Sequence, residues 1–94
     1  MTPEEDAAAS WKLLDEPERK ALAYIGDSRQ TATPDLLGRA LGTSWQAAVR
    51  TARELNVLGL IRVKRLPKLT WYEISGQGEL CLAAGRAAEQ ESQP

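Results

Sequence analysis

The stretch from Leu55 to Ile74 constrains this chain more than any other. A helical pattern runs through Leu55 and Leu58, and Gly59 stops it. Ile61 and Val63 then alternate with Arg62 and Lys64, the period of a half-buried strand. Pro67 lacks a ladder N–H and marks the turn. On the way back Tyr72 and Ile74 alternate with Trp71 and Glu73. Four of the seven residues from Arg62 to Lys68 are Lys or Arg, and none is acidic. A helix must therefore feed directly into a two-stranded ribbon with a basic tip.

The remaining elements follow from caps and stops. Residues 1–6 read as a tail, and Asp6 caps a short helix over 7–14 with Trp11 and Leu14 on one side. Asp15-Glu16-Pro17-Glu18 is a capping-box start, with Glu18 three residues after the cap. That helix runs to about Gly26 and buries Ala21, Leu22 and Ile25. A polar connection follows, in which Gln30-Thr31-Ala32 can form a short strand. Thr33 and Pro34 open the next helix, in which Leu36, Leu37, Ala40 and Leu41 face inward and Gly42 ends the run. Thr43-Ser44 cap a helix from Trp45 to about Leu58, with Ala48, Ala52 and Leu55 on its inner face. Two helices joined by so short a glycine turn form a helix-turn-helix. Glu79 to Glu89 reads as a last helix, weakened by roughly 1 kcal/mol at Gly85. Residues 90–94 read as a second tail. The fold class is mainly α with a small antiparallel β-ribbon, one domain over 1–94.

Composition excludes several chemistries. There is no histidine and one cysteine, Cys81, so a Cys/His zinc site and an internal disulfide are both out. Cys81 reads as a small core residue, with a redox-sensing role as the alternative. No Gly-rich phosphate loop, nucleophile motif or carboxylate cluster suggests an enzyme, and no cofactor is expected. No apolar run is long enough to span a membrane and the start is acidic, which points to a cytoplasmic protein. The net charge of −1 hides a sorting. Residues 1–18 carry six acids and one base, and 73–94 carry four acids and one base. Residues 19–72 carry ten bases and three acids. Asymmetry of this kind suggests one face for a polyanion.

The order helix, helix-turn-helix, ribbon, helix resembles the winged-helix regulators of the MarR type, with ArsR-type relatives close by. The likeness covers about Leu14 to Gly85. Thr33 to Gly42 is similar to the family's T-x-x-x-L-A-x-x-L-G helix, and Glu54 to Ile61 to its L-x-x-x-G-L-I helix end. Ile74 to Leu80 resembles its L-T-x-x-G closing strand and helix start. The chain departs from the pattern in having shorter ends, a shorter wing, and no acid-plus-arginine wing tip. The resemblance thus implies the winged helix-turn-helix fold more strongly than any drug-sensing activity. It also implies a homodimer through 7–14 and 79–89, with Trp11, Leu14, Leu80, Leu82 and Ala83 at the interface. The alternative is that these helices only cover the monomer's own core.

A recognition helix lays its N-terminal part in the major groove of double-stranded DNA. Gln46 and Arg50 are the expected base readers, since Gln pairs bidentately with adenine and Arg with guanine. Thr43, Ser44 and the helix N-terminus can hold a phosphate. Arg53 lies further along and suits the backbone. Trp45 either contacts a thymine methyl or folds back over the helix that starts at Thr33, and Val49 beside it either contacts a thymine methyl or packs. Arg62, Lys64, Arg65 and Lys68 are the wing's phosphate candidates, with Arg39, Thr33 and Arg29 behind them. Trp71 lies over Arg62 or Lys64, or simply packs across the strands. A solvated helix face is the plain alternative for Arg50 and Arg53, with Arg50 pairing Glu54. These residues describe a sequence-specific transcriptional regulator, most simply a repressor. A winged-helix protein-interaction module and a DNA-binding replication, plasmid or phage maintenance factor are the rival functions.

Overall fold

The computed structural model describes residues 2–28 and 32–91. Two helices open on the same device. Thr2 caps α1 (Pro3–Leu13) and Asp15 caps α2 (Glu16–Asp27), each in a complete capping box with Glu5 and Glu18 respectively. Helix α1 therefore starts four residues before the expected Ala7, and most of the expected tail over 1–6 is helical. Thr2-Pro3-Glu4-Glu5 carries the same cap, proline and N3 glutamate as the second start, and this is the physical reason for the correction.

Thr33 caps α3 (Pro34–Leu41), and Ser44 caps α4 (Trp45–Val57). Between them Gly42 adopts φ 68°. Its N–H reaches the Arg39 carbonyl at 3.2 Å, and the Thr43 N–H reaches Gly38 at 2.9 Å. The end of α4 repeats this arrangement. Gly59 sits at φ 77°, its N–H bonds Asn56 at 3.0 Å, and Leu60 N–H bonds Leu55 at 3.0 Å. Both are the paired bonds of a glycine-terminated helix, which satisfy carbonyls that would otherwise be orphaned.

After Gly59 the chain makes β1 (Ile61–Leu66) and β2 (Leu69–Ile74), antiparallel, with Pro67 and Lys68 at the turn. Ile61 faces Ile74, Val63 faces Tyr72, and Leu66 faces Leu69. Ala32 adds a single bridge, its carbonyl accepting from Tyr72 N–H at 2.8 Å. Gln30 and Thr31, the rest of that expected strand, lie outside the described residues. Ser75 then accepts Gly78 N–H on its hydroxyl at 3.0 Å and starts α5 (Gly76–Glu91). This cap moves the helix start ahead of the expected Glu79, and the helix also takes in Gln90 and Glu91 of the expected tail.

One core joins these elements. Leu22, Ile25, Leu37, Leu55, Ile61 and Cys81 are fully enclosed. Burial pushes the Cys81 thiol up from its ordinary range, against a smaller opposing pull from Arg19. In α3, Leu37 and Gly38 are buried while Leu36 and Ala40 are exposed, a correction to the expected inward face. The reason is the close approach at Gly38, where a Cβ would come 3.1 Å from the Thr43 carbonyl. With no Cβ at Gly38, α3 can lie close to the turn on that side.

The terminal helices pack on each other. Trp11 of α1 lies over Gly85 of α5, where an added Cβ would overlap the indole ring. Arg19 of α2 holds the same tryptophan from another side. Its Nε and terminal nitrogen donate to the Trp11 carbonyl at 3.2 and 3.0 Å, and its guanidinium carbon stands 5.0 Å from the ring centre. No described helix is long and apolar enough to cross a membrane.

Candidate nucleic-acid interface

Helix α4 presents its outer face because its inner face is spent. Ala48, Ala52 and Leu55 are buried, and small side chains at two of these positions let α4 lie close to the core. Trp45 is 56% exposed and borders two clefts beside Pro34 at the start of α3. Gln46, Arg50 and Arg53 are exposed, and Val49 is half-buried. At the helix start the Ser44 hydroxyl accepts Ala47 N–H at 3.2 Å, and Thr43 Oγ1 donates to the Ser44 carbonyl at 3.2 Å. Ser44 keeps its own proton available to donate outward.

The ribbon is fastened to this helix at its root. Asn56 Nδ2 donates to the Ile61 carbonyl at 3.0 Å. The Ser75 hydroxyl donates to the Gly59 carbonyl at 2.7 Å, and Ser75 N–H bonds Leu60 at 3.0 Å. Helix end, ribbon and the start of α5 thus share one joint.

Alternation along the strands divides the wing's cations between two faces. Arg65 pairs across with Thr70, and Val63 with Tyr72; this face looks toward α4. Arg62 pairs with Glu73 and Lys64 with Trp71, on the opposite face. There Lys64 also meets Glu73 at 3.9 Å.

Between α4 and the ribbon lies a cleft of about 400 Å³. Trp45, Val49, Arg53 and Asn56 form one wall, Val63, Arg65, Thr70 and Tyr72 the other, and Pro34 closes an end. Among the described residues no acid lines it. A second cleft of about 370 Å³ also borders Trp45, between Thr33, Pro34 and Asp35 at the start of α3 and Lys68, Leu69 and Thr70 of the wing. Tyr72 is buried, and that burial pushes its hydroxyl above the ordinary 10.0. Arg65 and then Arg53 pull it back down, so both guanidinium charges act on the same phenol.

The same architecture occurs in solved transcription regulators. MepR, a transcription regulator of the Staphylococcus aureus multidrug efflux pump MepA, matches with a TM-score of 0.75 at 14% identity, covering 97% of this chain and 71% of MepR. A MarR family transcription regulator, SP03579, matches with a TM-score of 0.75 at 25% identity, covering 94% of this chain and 59% of that one. The fold is that of the MarR-type winged helix. FabT of Streptococcus pneumoniae, solved in complex with DNA, matches with a TM-score of 0.75 at 16% identity, covering 85% of this chain and 57% of FabT. This chain spans less than two thirds of the length of two of these three proteins. No protein-family model matches the chain, and no curated protein matches it in sequence.

In MarR-type terms α3 and α4 form the helix-turn-helix and β1–β2 the wing. The structure brings Trp45, Val49, Arg53 and Arg65 together at the first cleft, and Thr33, Trp45 and Lys68 at the second. Gln46 and Arg50 lie on the exposed side of the same helix. Arg50 forms no ion pair with Glu54, whereas Arg39 pairs with Asp35, Lys64 with Glu73 and Arg86 with Asp27. Arg39 is thus engaged with Asp35 at 3.4 Å, and Thr33 is occupied as a helix cap. Trp71 is half-buried and opposite Lys64, while the one close cation–ring contact among the described residues is Arg19 on Trp11. Arg29 lies outside the described residues. The sequence reading missed Tyr72, Asn56 and Thr70 as cleft residues. Alternation placed Tyr72 on the buried face, and only the packing of ribbon against helix reveals that this face also borders a cleft.

The five expected dimer residues separate. Trp11, Leu14 and Leu82 are buried within the single chain, so they are not free to face a partner. The reason is the pairing of α1 with α5, which uses both terminal helices as each other's cover. Leu80 and Ala83 are exposed.

Proposed function

We propose that this chain is a sequence-specific double-stranded DNA-binding transcriptional regulator, acting as a repressor by occupying its site. The observation that supports it most is the shared cleft. Cations from α4 and from the wing meet there without an acid, beside an exposed helix face carrying Gln46 and Arg50. In this reading α4 enters the major groove, Gln46 and Arg50 meet base edges, and Thr43, Ser44, Arg53, Arg65 and Lys68 meet phosphates. Trp45 and Val49 are apolar and reach toward thymine methyls. Arg39, Thr33, Arg62 and Lys64 are secondary, since each already has a structural partner or faces away from α4.

Homodimerisation belongs to the same proposal. Leu80 and Ala83 remain for it, with Leu58 beside Leu80 on a separate cleft of about 320 Å³. Two copies would read half-sites about 34 Å apart. A cytoplasmic location follows from the role.

Selection of bound sequences from a random duplex pool tests the reading. The expected result is a two-fold symmetric motif, with Arg50→Ala relaxing preference at one base position per half-site. Recovery of no motif, with equal affinity for every duplex, would overturn it. Sedimentation of the free protein tests the dimer, and Leu80→Glu should shift it toward monomer.

A further inference from the structure

We infer that the cleft between α4 and the wing is a binding site for one backbone phosphodiester of the duplex, clamped between Arg53 and Arg65 with Tyr72 as a third donor. This rests on the DNA-binding reading above and goes beyond it by naming one group held by two elements at once.

The chemistry of the lining selects the ligand. Arg53 comes from the helix and Arg65 from the ribbon, yet both border the same cleft. Neither takes part in an ion pair among the described residues, and no described acid lines the cleft. Two guanidiniums bordering one cleft with no described acid make it positively charged, which favours an anion there. Each guanidinium offers a planar fork of donors that matches phosphate oxygens. Tyr72 borders the same cleft, and both arginine charges pull its raised hydroxyl pKa back down. The neutral phenol supplies an O–H donor there.

The walls favour a phosphodiester over a free anion. Trp45, Val49 and Val63 are apolar and border the same space. A nucleic-acid strand sets deoxyribose against such surfaces, whereas inorganic phosphate leaves them bare. Because the two arginines lie on different elements, a phosphate between them would fix the angle between helix and wing. Such contacts set the register in which α4 reads bases.

The test is a methylphosphonate scan. A duplex selected by the wild-type chain is synthesised with one neutral methylphosphonate at each position in turn. One position per half-site should lower wild-type affinity about tenfold, as loss of charged hydrogen bonds does. At that position the penalty should shrink to about twofold in both Arg53→Gln and Arg65→Gln, and in part in Tyr72→Phe. Both arginines are exposed, so the variants should keep the wild-type circular dichroism and melting temperature. The inference fails if the two arginines answer to different phosphates, or if every penalty survives both substitutions. A second arm titrates the free protein with inorganic phosphate and follows the arginine Nε–H signals. Saturation there without any shared position in the scan identifies a free-anion site and overturns the inference. If the wild-type chain binds duplex but shows no shared position, only this inference falls. If it binds no duplex, the DNA-binding reading falls with it.

Discussion

Gly85 and Tyr72 each have a consequence that a single substitution can expose. A methyl at Gly85 gains about 1 kcal/mol of helix propensity but must displace the Trp11 ring that Arg19 holds in place. Overpacking of this kind costs about 1–3 kcal/mol, and an indole fixed on two sides sits toward the upper end. Gly85→Ala should therefore lose about 1–2 kcal/mol, a melting temperature lower by roughly 5–10 °C in calorimetry. Tyr72 is a pH reporter. Its folded-state pKa is raised above the ordinary 10.0, so the folded chain holds that proton more tightly than the unfolded chain. The associated stability is complete below pH 10.0 and is lost as pH rises through the folded value. Urea unfolding at pH 9 and pH 11 should show a larger drop for the wild type than for Tyr72→Phe. Equal drops would mean that the phenol is not held neutral by its surroundings.

At the scale of elements, the joint at Ser75 bears the most. Its hydroxyl caps α5 and also donates to the Gly59 carbonyl at the end of α4. Ser75→Ala should lose about 1–2 kcal/mol in urea unfolding, at the upper end for a single cap, since two bonds go at once. The elements themselves were largely legible in the chain. Asp15, Thr33 and Ser44 are caps by residue type, Gly42 and Gly59 are stops by backbone freedom, and the ribbon's alternation is plain from Ile61 to Ile74. Helix α1 was misplaced although Thr2 and Glu5 carry the same signature as Asp15 and Glu18. The start of α5 was obscured because Gly76 and Gly78 look like strand breakers until Ser75 is seen to cap them. What no pattern along the chain could give is which ribbon face turns to α4. That choice is tertiary, and it separates Arg65 from Arg62 and Lys64.

Across the whole molecule, the sorted charges should govern binding strength. If Arg53, Arg65 and Lys68 neutralise about three phosphates per copy, the logarithm of the binding constant should fall with the logarithm of salt at a slope of about −2.7 per copy. Lys68→Ala should flatten that slope by about one unit and weaken all sequences alike. Lys64→Ala should do less, because Lys64 already has Glu73 beside it and faces away from α4. A slope near zero measured by fluorescence anisotropy would mean that the basic middle of the chain does not meet a polyanion. The dimer residues show the opposite case, since apolar side chains at both ends suggested a partner and three of the five serve the chain's own interior. The hydrogen bonds at Ser75 have a mechanical corollary. One hydroxyl ties the first turn of α5 to the last residues of α4, so neither helix end can shift without straining the other.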